Sequence, residues 1–261
     1  TSDVLVISTG IPDQNSFSLS ASKSNIEGWN YDGEISDVTV RMADHFNNPV
    51  PDGTAVSFRT TCGSIPASCV TTLGTGACTV QFTSQEPREN GRCVILAYAL
   101  GEESFVDLNA NGIYDPGTAE TFTDMPEPFL DTNENGVKDA NEDFIDSNAD
   151  GLYSPGDGIF NGILRASSIT GPKTIHVRDS LTIVLSGSGA VITINNGNPI
   201  TLDLCANGVK FNNIATTVDI RVTDLHGNAM PYGTTISFSS TNGTINSIPT
   251  SHTVRSTAFL P

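Results

Sequence analysis

Val38-Thr-Val-Arg-Met-Ala-Asp-His-Phe-Asn-Asn-Pro-Val-Pro-Asp-Gly-Thr-Ala-Val-Ser-Phe58 is written a second time, 180 residues on, as Val218-Asp-Ile-Arg-Val-Thr-Asp-Leu-His-Gly-Asn-Ala-Met-Pro-Tyr-Gly-Thr-Thr-Ile-Ser-Phe238. Carried on to Ile65 and Ile245, the two stretches share 12 of 28 residues, so one structural unit occurs twice. Its grammar is β. Val38, Val40 and Met42 alternate with polar residues, as do Val56 and Phe58, and Asn-Asn-Pro or His-Gly-Asn supplies the turn between the two runs.

Further strands are readable at Val4 to Ser8, Phe17 to Ala21, Cys78 to Thr83 and Cys93 to Ala99, and in the second half at Leu181 to Leu185, Val191 to Ile194 and Thr201 to Leu204. No convincing amphipathic helix interrupts them. The expected fold class is all-β, with two tandem antiparallel sandwiches. The two repeated segments resemble the bacterial immunoglobulin-like domains of invasin and intimin type, and the resemblance covers most of both halves but not residues 102 to 160. It implies an immunoglobulin-like fold and leaves function open, since such domains serve as spacers, stalks and binding tips. The expected division is a first domain over 1–178 and a second over 179–261. Thr253-Val-Arg-Ser-Thr257 can be laid over Thr79-Val-Gln-Phe-Thr83, after which the second unit lacks strands. It is therefore expected to be incomplete, either as part of a longer protein or completed by strand addition from another chain.

The formal net charge of −17 is concentrated in one place. Between Glu102 and Asp157 stand 15 of the 29 acidic residues against one base, Lys138, which leaves about −3 for the rest of the chain. So local an acidity calls for cations. No basic patch offers a surface for nucleic acid, and no apolar run is long enough to span a membrane.

Within that window three segments share one pattern: Phe105-Val-Asp-Leu-Asn-Ala-Asn-Gly112, Phe129-Leu-Asp-Thr-Asn-Glu-Asn-Gly136 and Phe144-Ile-Asp-Ser-Asn-Ala-Asp-Gly151. Oxygen-bearing side chains at alternate positions followed by glycine are what an EF-type loop uses, with ligands at positions 1, 3, 5, 9 and 12 and the carbonyl at 7. The middle loop supplies Asp131, Asn133, Asn135, the Val137 carbonyl, Asp139 and Glu142. The third supplies Asp146, Asn148, Asp150, the Leu152 carbonyl, Ser154 and Asp157. In the first, Asp107, Asn109, Asn111, the Ile113 carbonyl and Asp115 are present, but position 12 is Thr118, so the last ligand there falls to Glu120, water or a neighbouring loop. All-oxygen ligands on flexible loops favour Ca2+ over Mg2+, and about three ions are expected.

The spacing is similar to that of dockerins and thrombospondin type 3 repeats, over roughly residues 105 to 158. Pro126, Pro128, Pro155 and many glycines leave no room for the long helices of a dockerin. The segment reads as an insertion at about 104–160, placed where the last hairpin of the first sandwich belongs. Phe105, Phe129 and Phe144, with Ile113, Val137 and Leu152, are expected to pack against the sandwich or one another.

Strand direction favours Cys62 with Cys93 and Cys69 with Cys78 over the two other connectivities, and leaves Cys205 either as a buried thiol or paired elsewhere. Disulfides beside calcium loops suit an oxidising extracellular or cell-surface setting. Nothing in the sequence resembles a nucleophile elbow, a phosphate loop or a dinucleotide fingerprint, and Trp29 reads as a core or edge anchor. The expectation is a non-enzymatic, calcium-stabilised segment of a bacterial surface protein, such as a stalk, filament subunit or adhesin. Its partners would be neighbouring domains or subunits and a host or matrix receptor. The alternative is a carbohydrate- or receptor-binding module using the calcium loops directly.

Overall fold

A computed structural model describes residues 9–198, 205–206, 209–210, 216–241, 244–246 and 251–256. The strands expected at Val4 to Ser8 and Thr201 to Leu204 lie outside the described residues. The first half carries β1 (Phe17–Ala21), β2 (Asn25–Ile26), β3 (Ile35–Met42), β4 (Ala55–Thr60), β5 (Ser68–Val70), β6 (Ala77–Thr83), β7 (Arg92–Gly101) and β8 (Ile175–Leu185). They form a three-stranded sheet in the order β1-β3-β6 and a five-stranded sheet in the order β2-β8-β7-β4-β5. All pairs are antiparallel except β2 with β8. The chain is all-β, and its three-stranded sheet is a curled half-barrel.

One apolar cluster draws on both sheets. Along β3, Val38, Val40 and Met42 are buried while Asp37 and Arg41 are exposed, so period-two alternation aims one face inward. Val80 and Phe82 of β6 join them, as do Val56 and Phe58 of β4, Ile95 of β7 and Ile183 of β8. Each such side chain contributes roughly 1.5 to 3 kcal/mol when fully buried. Disulfides join Cys62 to Cys93 and Cys69 to Cys78, with Cα separations of 5.0 and 6.1 Å. The second ties β5 of one sheet to β6 of the other.

Leu181 to Leu185 does not open the second half, nor does a boundary fall at 178: Leu181 pairs with Ile95 and Ile183 with Cys93, and the side chains of Val177, Ile183 and Leu185 fill the first core. Residues 102–174 are thus the connection between two hydrogen-bonded neighbours, β7 and β8.

The second half holds β9 (Ala190–Ile194), β10 (Cys205–Ala206), β11 (Val209–Lys210), β12 (Ile220–Asp224), β13 (Thr235–Ser237) and β14 (Ser251–Thr253). β9 pairs with β12, β10 with β11, and β13 with β14. The sequence repeat is a structural repeat. Asp44 Oδ1 accepts the amides of Phe46 and Asn48, and Asp224 Oδ1 accepts those of His226 and Asn228. At the same turn position Asn47 and Gly227 have φ of 62° and 82°, the left-handed region that asparagine and glycine tolerate.

The end of the repeat also departs from expectation. Thr235 pairs with Thr253 as Ala55 pairs with Val70, so Ser251–Thr253 matches β5; the proposed match of Thr253 to Thr79 is one strand too late. The two halves meet where the Trp29 and His226 rings lie 3.7 Å apart and Asn25 Nδ2 donates to the Met230 carbonyl at 2.6 Å. Trp29 is an anchor of this junction.

Candidate functional site

The connection between β7 and β8 folds back over the outer face of the five-stranded sheet. β7 is buried on both sides: Ile95 and Ala97 face the core, while Val94 and Leu96 project the other way and are covered as well. A cleft of about 370 Å³ separates Leu96 and Arg178 of the sheet from Met125 and Phe129 of the connection. Arg178 Nη1 donates to the Pro126 carbonyl at 2.6 Å, and Ser147 Oγ and His176 Nδ1 are 2.7 Å apart. The Arg92 guanidinium grips Glu134 through Nε and Nη2 at 2.6 and 2.7 Å, and Thr182 Oγ1 adds a third bond at 3.0 Å. Hydrogen bonding to Arg92 holds Glu134 below the usual carboxylate range.

Two aromatic groups fix the loops. Phe105, Tyr114, Phe122 and Phe160 pack edge-on or tilted, with His45 stacked on Phe105 at 4.4 Å. Phe129 and Phe144 both meet Tyr153, and Lys138 Nζ lies 5.5 Å from the Tyr153 ring. The phenylalanines expected to anchor the loops do so. Their expected companions do not all follow, since Val137 and Leu152 are exposed; the residues one further on, Tyr114, Lys138 and Tyr153, take that place.

The three loops share one backbone. Position 4 (Ala110, Glu134, Ala149) has φ of 58°, 59° and 61°, and position 6 (Gly112, Gly136, Gly151) has φ of 78°, 77° and 76°. Position 1 bridges the turn: Asp107, Asp131 and Asp146 each accept the amide of position 5 on Oδ1 and that of the glycine on Oδ2. Asn109, Asn133 and Asn148 accept the same position-5 amide, and Asn111, Asn135 and Asp150 accept that of position 7. The asparagine at position 3 donates to position 9, to Asp115, Asp139 or Ser154. Among the described residues the carbonyls of Ile113, Val137 and Leu152 accept no hydrogen bond. No three His, Cys, Asp or Glu side chains among the described residues stand together as a metal-ligating group. Each loop instead mixes carboxylate, amide and carbonyl oxygens, the donor set a hard cation takes.

Position 12 is where sequence and structure part. In the middle loop Glu142 is buried; Oε1 accepts the Thr132 amide at 2.6 Å and Oε2 the Asp139 amide at 3.0 Å. Burial alone would raise its pKa, but the Asp139 amide and the hydroxyl and amide of Thr132 outweigh it and hold the carboxyl below its usual range. In the third loop the corresponding amides, Ser147 and Ser154, go to Glu127, at 2.7 and 3.0 Å. Asp157 does not make these bonds. In the first loop Thr118 turns its hydroxyl to the Asp115 carbonyl, and the Asp115 amide goes to Glu120 Oε2 at 2.8 Å.

Asp157 belongs to a separate arrangement. Its Oδ1 accepts the Ile159 amide, Asp124 Oδ2 accepts the Gly158 amide, and Glu103 accepts the Met125 and Asn161 amides, each at 2.8 to 3.0 Å. These are the relations of the middle loop, made here by three separate stretches of chain. Glu103 is fully buried, and burial, with Asp124 and Asp157 nearby, pushes its pKa up to about 7 against the pull of the two amides. Glu103, Asp124 and Glu127 escaped the sequence reading because their partners are distant in the chain; the one local signal is that Glu127 sits between Pro126 and Pro128.

The chain matches no protein-family model, no characterised protein and no solved structure.

Proposed function

We propose that this chain is a calcium-stabilised structural or adhesive segment of a bacterial cell-surface protein, built from two immunoglobulin-like units with the calcium-loop insertion in the first. The observation that carries this reading is the shared backbone of the three loops, seated on the outer face of a disulfide-braced sheet. Asp107, Asn109, Asn111, Ile113 and Asp115 would hold one ion, and the corresponding residues of the other two loops two more. Bound calcium would neutralise carboxylates that otherwise repel by about 4 kcal/mol per close pair at an effective dielectric near 20. Two disulfides suit an extracellular location, and no helix among the described residues is long and apolar enough to cross a membrane.

Neighbouring domains or subunits are the proposed partners. Val38 and Val40 are 0% exposed, whereas their repeat counterparts Val218 and Ile220 are 41% and 38% exposed. Among the described residues β12 pairs only with β9, where β3 has both β1 and β6. An added strand on that edge would extend the sheet.

A second reading, direct binding of a carbohydrate or protein receptor by the loops, is favoured by the exposure of Leu108, Val137 and Leu152 at their surface. Titration calorimetry of chelator-treated protein tests the common premise. Uptake of about three calcium ions supports it, and no uptake refutes it.

A further inference from the structure

We infer that the calcium sites of the first and third loops are closed by glutamates outside the twelve-residue pattern, Glu120 and Glu127, as Glu142 closes the middle one. The inference rests on the calcium reading above; it adds Glu127, which that reading lacks, and selects Glu120 among the alternatives it left for the first loop.

Glu142 defines what closure looks like: a buried carboxylate whose two oxygens each hold an amide, at positions 2 and 9 of its loop. Glu127 holds the amides at positions 2 and 9 of the third loop, although it precedes the middle loop in the chain. It is brought there by the Glu127 amide bonding to the Ser154 carbonyl at 3.0 Å and by the pairing of Phe129 with Phe144. Both glutamates are about nineteen-twentieths buried, at 6% and 4% exposure.

Glu120 supplies an independent observation. It is 6% exposed; Oε2 holds the position-9 amide of the first loop, and Oε1 is buried with no hydrogen-bond partner. The carboxylate is planar and compact, so the orphaned Oε1 stands at the same end of the loop as Asp115. A buried carboxylate oxygen without a partner is costly unless something cationic meets it. Calcium between Asp107, Asn109, Asn111 and the Ile113 carbonyl would meet it. Position 14 can then do the work of position 12 because Pro116 and Gly117 lengthen the turn before it.

This wiring has a consequence for the second and third sites. Glu127 belongs to the third site, yet it lies four residues ahead of Asp131, where the middle loop begins. Occupancy of the third site therefore fixes the entry to the second, and the two should fill with positive coupling.

The test is calcium titration of the full chain and of E120Q, E127Q and E142Q. E142Q sets the scale for losing a closing ligand. E120Q should weaken one of three sites at least about tenfold, and E127Q should weaken the third site by as much and, through the coupling, lower affinity at the second, no less than a group that merely supports a ligand. Glu120→Asp and Glu127→Asp keep the charge but shorten the arm, and should show the same losses as the corresponding glutamine variants while near-ultraviolet circular dichroism at saturating calcium reports a folded chain. Wild-type affinity at all sites in E127Q or in E120Q overturns the assignment of that residue. Absence of calcium uptake by the wild type is a different result and removes the calcium reading itself.

Discussion

Glu127 reaches from the chain ahead of the middle loop to Ser154 in the third, its Oε2 accepting the Ser154 amide at 3.0 Å. That bond ties the third loop to the entry of the middle one. Three residues on, Leu130 takes up the Asp143 carbonyl, and Ile145 the Pro128 carbonyl, so the middle and third loops share a short antiparallel seam.

Glycine at position 6 of the middle loop is required by conformation alone. Gly136 has φ of +77° and a Cβ there would meet nothing. Gly136→Ala should cost about 1 to 2 kcal/mol from left-handed strain, read as a lowered melting temperature in calcium. A cost near zero would mean that the loop readily adopts another backbone.

Glu134 clamps the middle loop to the sheet through Arg92 and Thr182. The pair is partly exposed, so Glu134→Ala should change global stability by under about 1 kcal/mol. Hydrogen exchange in residues 129–145 should rise nonetheless, with β7 and β8 unchanged. Exchange rising equally through the sheet would contradict a local clamp.

The Cys62–Cys93 disulfide closes a loop of 31 residues. Replacing both cysteines by serine should lower stability by about 3 to 4 kcal/mol, whether or not calcium is present, since this bond braces the sheet and not the loops. A loss seen only without calcium would tie it to the insertion instead.

Glu103 should give the calcium-free protein a pH dependence. Its folded pKa of about 7 lies above the ordinary 4.5, so the native state holds more protons between these values and stability falls as pH rises through that window. Glu103→Gln should flatten the slope, at some cost in stability because its NH2 cannot accept one of the two amides that the carboxylate holds. A wild-type chain whose stability rises from pH 4.5 to 7 would contradict the assignment.

The β architecture was legible wherever burial follows a period of two, as at Val38, Val40 and Met42, or at Cys78, Val80 and Phe82. It was misread at β8. Leu181 to Leu185 forms a strand as expected, but which sheet it joins depends on pairing with Cys93 and Ile95 across a connection of more than seventy residues. Local pattern carries no such information. The loops were legible at positions 1 to 9, where the oxygen-bearing side chains and their hydrogen bonds lie within a single turn. Glu142 was legible by its spacing, and Glu120 as one of three alternatives for the first loop; Glu127 was not, because the backbone bridge between Phe129 and Phe144 brings it to its loop from far along the chain. Asp157 had the right spacing and the wrong neighbours.

On the proposed reading, calcium conditions the fold of the insertion and, through its seat on the sheet, the stability of the chain. The most direct measurement is thermal melting of chelator-treated protein on adding calcium, with magnesium as the control. Each occupied site should add about 2.7 kcal/mol at a hundredfold excess over its dissociation constant, so melting should rise steeply with calcium and weakly with magnesium. Melting indifferent to calcium, or equally responsive to both ions, would contradict it.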